Sequence, residues 1–549
     1  MVAVPRLDTH EVLNQSPSYE DVDLFTSDRP LREAVRANGA EAAALAEFGR
    51  HWGSAETIAA ARLANENEPK LAAFDAKGFR RDVVEFHPAY HGFMAESIGA
   101  GLHAMTWNAD GSRAGPPSEV ARAARYYMVA QIENGHMCPI TMTRAAVGAL
   151  AAEPALLKEL MPKISSRSYD PSFRPWWEKT GMTLGMGMTE KQGGTDVRAN
   201  TTRAAPSGEG YLITGHKWFM SAPMCDAFLV LAQAPDGLTC FLMPRFRPDG
   251  GVNDVRLQRL KDKLGNRSNA SSEVEFAEAF AWRVGEEGRG VRTIIEMVQL
   301  TRLDCAIASA GLMRMALAQG LHHARHRTVF QKRLADQPMM RAVLADMALE
   351  MEGTVALVMR LCRAFDRAAS DPAEAAYARL LTPAVKYWVC KTAPAFIYEA
   401  MECLGGNGYV EEGVLARLYR EAPVNAIWEG SGNVMCLDVL RALAREAEVA
   451  RPVLAGLGRA CADLPGAAKA TAFIADTLGA PDAEARARPA VEQIALLAAA
   501  AALADGGPPR VAEMFARSRL ALRRGSTYGT ADLDSDAMPL LLERALPAA

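Results

Sequence analysis

The chain of 549 residues is poor in the features that would place it in several common classes. Its nine cysteines contain no CxxC pair, so neither a zinc ribbon nor a disulfide framework is supported, and a reducing, cytoplasmic setting is expected. The N-terminus, MVAVPRLDTHEVLNQSP, has no basic n-region and no apolar h-region, so no signal peptide is read there. The longest apolar run, Ile494 to Ala504, is too short to span a bilayer. There is no HExxH, GxSxG or P-loop, which removes zincin, serine hydrolase and NTPase readings. A net charge of -4 gives no global electrostatic reason to bind nucleic acid, so any such function must rest on a local patch.

What is present is ordinary globular composition, 49% apolar and 23% charged, in a chain long enough for about three or four structural units. Residues 1–30 read as an extended arm. Residues 31–182 are rich in strong helix formers and are divided by Pro69, Pro88, Pro116, Pro117 and Pro154, which predicts a helical domain. Over 183–288 the texture becomes short β-favouring runs, two of them joined by the turn Pro235-Asp236-Gly237, and a small antiparallel β unit is expected. Long periodic stretches without proline, Val291 to Gln331 and Met339 to Arg367, open a helical bundle over 289–441, with Pro372, Pro383 and Pro394 as later breaks. An Ala-rich helical domain fills 442–549. The fold class expected is α+β multidomain, in the order α, β, α, α.

Several segments carry candidate chemistry. Met186, Gly187, Met188 and Thr189, followed by Gly193, Gly194 and Thr195, combine glycines that let backbone approach a ligand with hydroxyls that could bond it. The spacing is not that of a dinucleotide-binding βαβ unit, and the same stretch alone could be a connector. Phe219, Met220 and Ser221 follow a strand and could equally be its packed end. Gly405 and Gly406 could cap a helix or admit a diphosphate. Glu429, beside Trp428, Gly430 and Ser431, has the setting of a carboxylate base with a raised pKa, or of a turn cap. His322 and His326 share a helix face, but Arg325 and Arg327 would repel a cation, so a structural or anion-facing role is favoured over metal.

Jointly, these segments resemble the acyl-CoA dehydrogenase family of flavoproteins over about residues 85–441. MTEKQGGTD at 188–196 looks like the family's flavin loop, and GHKWFMS at 215–221 is similar to its second flavin segment. Arg327-Thr-Val-Phe330 resembles the Arg-x-x-Phe that reaches a neighbouring subunit's cofactor. Glu402 to Tyr409 fits the Gly-Gly-x-Gly-Tyr segment, and IWEGSGN at 427–433 fits the segment of the catalytic Glu. The departures are Phe219 for the usual Trp, with Trp218 one place early, Gln331 for a Gly, Glu402 for a Gln, and Trp428 for a Tyr. The spelling is similar to the AidB-like branch, associated with the adaptive response to DNA alkylation.

The resemblance implies FAD as cofactor, Glu429 as base, and a homotetramer. Cofactor contacts would come from Met186 to Thr189, Gly193 to Thr195, Phe219 to Ser221, Arg327, Phe330, Glu402, Gly405, Gly406, Ile427, Trp428, Gly430, Ser431, Gly432 and Asn433. It further implies duplex DNA bound through the C-terminal domain, with residual isovaleryl-type acyl-CoA dehydrogenase activity. An ordinary metabolic acyl-CoA dehydrogenase with no DNA role is the alternative. Residues 442–549 hold 12 Lys and Arg against 13 Asp and Glu, so the domain is not basic as a whole. Arg517, Arg519, Arg523 and Arg524, which helical spacing would bring toward one face with Arg441 added in an oligomer, are the candidate phosphate-facing stripe.

Overall fold

The computed structural model describes residues 9–521, 527–528, 533 and 536–547. Seven helices come first: α1 Arg29–Ala37, α2 Ala43–Trp52, α3 Ala55–Glu66, α4 Pro88–Gly99, α5 Ser118–Ala130, α6 Met137–Leu150 and α7 Pro154–Ile164. Their starts follow local capping chemistry. Asp28 accepts from Leu31 N with Pro30 in the first turn of α1, Ser54 accepts from Thr57 N at α3, and Pro88 and Pro154 stand in the first turns of α4 and α7. This region is not wholly helical as expected, because β1 Lys70–Phe74 and β2 Arg80–Glu85 form an antiparallel hairpin between α3 and α4. Their residues are half-exposed and the alternation is short, which hides them in the helix-forming composition.

The β unit holds β3 Leu184–Gly187, β4 Arg203–Ser207, β5 Gly210–Ser221, β6 Ala227–Ala234, β7 Gly237–Pro244, β8 Val255–Leu260 and β9 Ser271–Val284. The order is β3-β6-β4-β5-β9-β7 with β6 also paired to β7, so the sheet closes on itself, and β8 extends it along β9. The expectation of a purely antiparallel unit is corrected: β3 runs parallel to β6, with Leu184 opposite Ala227 through Gly187 opposite Val230. Parallel pairing needs a long crossover, and the 188–226 segment, which includes the flavin-like loop, supplies it.

Helix returns in α8 Gly290–His326, followed by a small hairpin of β10 Thr328–Val329 and β11 Lys332–Arg333. Then come α9 Pro338–Arg367, α10 Pro372–Leu404, the single turn α11 Gly406–Tyr409, α12 Val414–Asn425 and α13 Gly432–Arg445. Pro372 opens α10, but Pro383 and Pro394 lie inside it and do not break it. Burial of this helix from Tyr377 to Val389 repays the lost backbone bonds. The last helices are α14 Ala447–Ala460, α15 Ala467–Gly479, α16 Ala487–Gly506, α17 Pro509–Ala516 and α18 Ala537–Ala545. α16 is the described helix long and apolar enough to cross a membrane, and 72% of its most apolar window is buried inside the protein.

Two apolar cores result. One joins the N-terminal helices, the bundle and the last helices; the other joins α6 and α7 to the sheet. α8 enters both, with Ile294, Met297 and Leu300 on the sheet side and Leu303 onward in the helical core. At that crossing Asp304 is 1% exposed and receives Arg122 Nη1 and Nη2, each at 2.7 Å, Arg144 Nη1 at 3.1 Å and Thr141 Oγ1 at 2.8 Å. Arg144 also pairs with buried Glu119. α5, α6 and α8 are thereby held in one relative register. Asp304→Asn leaves two buried guanidiniums short of charge compensation, and its expected cost is about 3–5 kcal/mol, read as a lowered urea midpoint with secondary structure retained in buffer.

Candidate active site

Glu429 stands on the tight connection between α12 and α13 with φ +58°, followed by Gly430 at φ +104°. A side chain at position 430 would put its Cβ 2.6 Å from Met435 Cε, so the turn needs glycine there. Two buried cations fix this turn through its backbone. Lys386 of α10 donates to the carbonyls of Trp428 (2.8 Å) and Gly430 (2.6 Å), and Arg302 Nε of α8 donates to that of Glu429 (3.0 Å). Arg302 is itself paired with Asp438 at 2.7 Å, which also receives Arg379 at 3.1 Å. The Glu429 carboxylate receives one direct bond, from Thr301 Oγ1 at 2.6 Å. Burial raises its pKa above the usual carboxylate range, and the Thr301 bond and the fields of Lys386 and Arg302 only partly offset that. This is the setting of a carboxylate that takes up a proton.

The flavin-like loop is built on a second buried charge. Glu190, fully buried, accepts from Lys217 Nζ at 2.7 Å and from Thr201 N at 2.7 Å, and Lys217 also donates to the Leu231 carbonyl at 2.8 Å. Burial raises the Glu190 pKa, but the Lys217 bond and the Thr201 amide prevail and pull it down to about 2. This carboxylate therefore anchors the loop to β5 and is not offered to a ligand. Trp218 N donates to the Thr189 carbonyl at 2.8 Å, completing the tie. Outside the anchor, Gly193 (φ +143°) and Thr195 are exposed, and Gly194 lies where a Cβ would stand 2.4 Å from Thr189 Oγ1. Gly187 is less tight, with an added Cβ 3.2 Å from Lys217 Cγ. Met186, Met188 and Thr189 are half-buried.

The second flavin-like segment is itself strand, the end of β5, rather than the stretch after it. Lys217 and Met220 are buried; Met220 is 0% exposed and its carbonyl accepts from Ser272 Oγ at 2.9 Å. Phe219 is 48% exposed, while Trp218 is turned to Lys261, whose ammonium lies 3.3 Å from the ring centroid. Ser221 Oγ is 3.0 Å from Ser271 Oγ. Burial pushes the thiol of Cys138 on α6 up to about 12, and the field of the Glu429 carboxylate adds to that. Trp428 packs on the sheet-side core beside this region.

The remaining predicted residues fall on the surface. Arg327 opens the β10–β11 hairpin, whose two-residue tip is Phe330 (φ +51°) and Gln331 (φ +63°), and Phe330 is 90% exposed. Gln331 therefore occupies a left-handed position that favours glycine. Glu402 is exposed on the last turn of α10, Gly405 ends that helix with φ +61°, and Gly406 begins α11. Ile427 is 65% exposed, Ser431 and Asn433 are exposed, and Gly432 sits against Tyr387 and Lys391. His322 and His323 bind the N-terminal arm through the Pro17 carbonyl and Ser16 Oγ, and among the described residues no group of three His, Cys, Asp or Glu could hold a metal.

One tail expectation is overturned. Arg519 is 7% exposed and ion-paired to Asp346 (2.6 Å) and Glu350 (2.7 Å) of α9, so it cannot face phosphate. The chain there passes from α17 into a π-turn at Arg517–Ala521, which breaks the helical phase assumed for the stripe. Arg517 is exposed and paired with Glu513 at 2.8 Å, Arg441 is exposed, and Arg523 and Arg524 lie outside the described residues. Thr301, Arg302, Lys386 and Cys138 were not singled out from sequence. Their signal was polar residues on otherwise apolar helices, which becomes readable only with the helix faces known. Ser97, His136 and Glu133 also form a hydrogen-bonded chain (2.9 and 2.6 Å), but each is at most 1% exposed, so it acts as a strut.

A helical domain, a closed β domain and a helical bundle, with a half-buried carboxylate on a pinned turn and a Gly-rich loop anchored to the β domain, are the class of scaffold that flavoprotein oxidoreductases use. Residues 14–171 match the adaptive response protein AidB N-terminal domain, 185–279 the acyl-CoA dehydrogenase middle domain, and 288–444 the acyl-CoA dehydrogenase C-terminal domain. The chain is 51% identical over 445 residues to AidB of Escherichia coli K12, named as an acyl-CoA dehydrogenase, covering 80% of this chain and 82% of that one. It is 31% identical over 445 residues to acyl-CoA dehydrogenase family member 11 of Caenorhabditis elegans, covering 77% and 70%. A crystal structure of Caenorhabditis elegans ACDH-11 in complex with C11-CoA superposes with a TM-score of 0.82 at 25% identity, covering 95% and 96%. The chain belongs to the acyl-CoA dehydrogenase family, whose members are FAD-dependent oxidoreductases acting on CH–CH groups.

The residues present fit that cofactor in kind: Phe219 is an exposed aromatic, Gly193 and Thr195 are exposed backbone and hydroxyl, and Thr189 is tied to the same strand end by the Trp218 N bond to its carbonyl (2.8 Å). Lys217→Met would leave Glu190 buried without its cation. We expect FAD content to fall sharply on purification, together with about 3–5 kcal/mol of lost stability, whereas the double change Lys217→Met with Glu190→Met should recover much of the stability.

Proposed function

We propose that this protein oxidises the α,β bond of an acyl thioester, with Glu429 as the base. The observation carrying the reading is the Glu429 carboxyl, its pKa raised by burial, its oxygen held by Thr301 and its turn pinned by Lys386 and Arg302. Glu429 takes the α-proton of the substrate, and the β-hydrogen departs with its electron pair. FAD, when bound, supplies the acceptor for that hydride. Thr301 holds the carboxylate oxygen before transfer and can hold the carboxyl after it. Fixing the base on a pinned turn lowers the reorganisation needed at the moment of transfer. Met186 to Thr189, Gly193 to Thr195 and Phe219 to Ser221 would hold the ring and ribityl portion.

Arg327, Phe330 and the Gly405-Gly406 turn would serve the cofactor of a second copy of the chain. The exposure of Phe330, Met339 (85%), Tyr409 (81%) and Ile427 supports a face covered by such a copy, in a homotetramer. The relative crystallised with C11-CoA supports a coenzyme A thioester as substrate, of isovaleryl type or longer. Nine free, buried cysteines support a reducing, cytoplasmic setting.

A second reading adds a role in the DNA alkylation response, with duplex DNA bound through the C-terminal domain. It is favoured by the AidB N-terminal domain match and the 51% identical relative. Its electrostatic basis is narrowed to exposed cations such as Arg441 and Arg517, and binding of that kind is salt-dependent and sequence-tolerant.

Glu429→Gln should slow anaerobic flavin bleaching by an acyl-CoA by about 10²–10⁴-fold, the scale of one general base. Thr301→Val removes the bond that favours the Glu429 carboxylate, so its pKa rises further. The acid limb of the bleaching rate should then move to higher pH; an unmoved limb would assign the limb to another group. For DNA, retention on a duplex column should fall steeply with salt and weaken in Arg441→Ala with Arg517→Ala. Retention that ignores salt would remove the phosphate-facing reading.

A further inference from the structure

Among the described residues, the N-terminal arm is hydrogen-bonded to the β10–β11 hairpin through Asn14. Its side chain bonds both backbone groups of Thr328: Oδ1 accepts from Thr328 N at 2.8 Å and Nδ2 donates to the Thr328 carbonyl at 2.7 Å. Its own carbonyl accepts from Arg327 Nη1 at 2.7 Å. Asn14 has φ +58°, a left-handed conformation that Asn tolerates better than most residues and that turns carbonyl and side chain toward the same hairpin edge. The arm is held on this line by His322 Nε2 to the Pro17 carbonyl (2.8 Å), His323 to Ser16 Oγ (3.2 Å), and Tyr19 against the His322 ring (5.2 Å).

Besides Asn14, the hairpin is tied to the segment that follows it by Gln337 Nε2 to the Val329 carbonyl (3.0 Å) and Leu334 N to the Arg327 carbonyl (2.9 Å). It has two residue pairs and a two-residue tip, and an isolated two-stranded unit of this size is marginal in water. Its tip carries two left-handed residues and a 90% exposed Phe330. Arg327 has no carboxylate within ion-pair distance among the described residues, and the Asn14 carbonyl is the acceptor that fixes its guanidinium. Asn14 thus acts as a third strand on the Thr328 edge and as the anchor of Arg327. The AidB N-terminal domain match begins at residue 14, so the anchor belongs to that domain while the hairpin belongs to the bundle.

From this we infer that Asn14 is a positioning residue for the cofactor face: it sets the aim of Arg327 and Phe330 toward the FAD of a second copy, coupling the arm to cofactor retention. The inference rests on the hairpin reading given under Proposed function. Asn14→Gly is the clean variant, since glycine accepts φ +58° and removes only the side-chain bonds. FAD affinity of the deflavinated protein, measured by quenching of free FAD fluorescence, should fall about tenfold, the scale of two lost neutral hydrogen bonds. The melting temperature of the FAD-free variant should match that of the unaltered protein, and Arg327→Ala should show an equal or larger loss of affinity. Unchanged affinity in Asn14→Gly beside weakened Arg327→Ala would overturn the role of Asn14 alone. A lowered melting temperature without FAD, at unchanged affinity, would assign Asn14 to general stability and also overturn it. Unchanged affinity in both Arg327→Ala and Phe330→Ala would sink the hairpin reading, and the inference with it.

Discussion

The rotation of α8 about its own axis is the constraint on which the rest of the site depends, and Asp304 sets it. A carboxylate with 1% exposure that accepts both donors of Arg122 and one of Arg144 has essentially one satisfactory position, because any rotation of α8 strands charge in an apolar medium. Thr301 and Arg302 are less than one turn earlier on the same helix. Their side chains meet Glu429 and its carbonyl only in the rotation that Asp304 dictates. Specificity of arrangement, rather than net stabilisation, is what a buried ion network of this kind contributes here.

The same device recurs at each part of the site. Lys386 and Arg302 hold the turn by its carbonyls, and Glu190 with Lys217 holds the loop to β5. In both cases the paired charge lies behind the functional surface. The groups left facing it are glycine backbone, hydroxyls, Phe219 and one carboxylate with a raised pKa. Pairing Glu429 directly with Arg302 would have pulled its pKa down and spoiled it as a base. Diverting Arg302 to Asp438 avoids that, and Thr301, a neutral donor, orients the carboxylate at smaller electrostatic cost.

Much of this was readable in the sequence where function requires unusual backbone. Gly194 and Gly430 are places where a Cβ meets a neighbour under 3 Å, and the motifs that contain them were visible as glycine patterns. Glu429 stood out through its neighbours. The order of helical and β regions followed from periodicity and punctuation. The supports were not readable. Asp304, Thr301, Arg302 and Lys386 lie among apolar residues of long helices, and a charge there looks the same whether it faces solvent or core. The β1–β2 hairpin and the parallel β3–β6 pairing were hidden for a related reason: both are set by contacts between distant segments, and local propensity says little about them. Pro383 and Pro394 misled because tertiary burial overrides a local breaker.

The tail shows how a sequence cluster of one charge can mean the opposite of a ligand surface. α9 buries three carboxylates, Asp346 and Glu350 on one face and Glu352 on another, each of them costly without a cation. Arg519 meets the first two, and Arg544 meets Glu352 and reaches Glu33 of α1 at 2.6 Å. Arg314 adds a bond to the Ala545 carbonyl and pairs with Asp28 at 3.0 Å. The C-terminal helices are thus bonded to the first helix and the bundle by buried ion pairs. Arg519 and Arg544 carry the assembly of the chain in this way, while Arg445, Arg451, Arg459, Arg510 and Arg517 stay exposed, so a phosphate-facing surface of the tail has to be built from exposed arginines such as these and not from the buried pair.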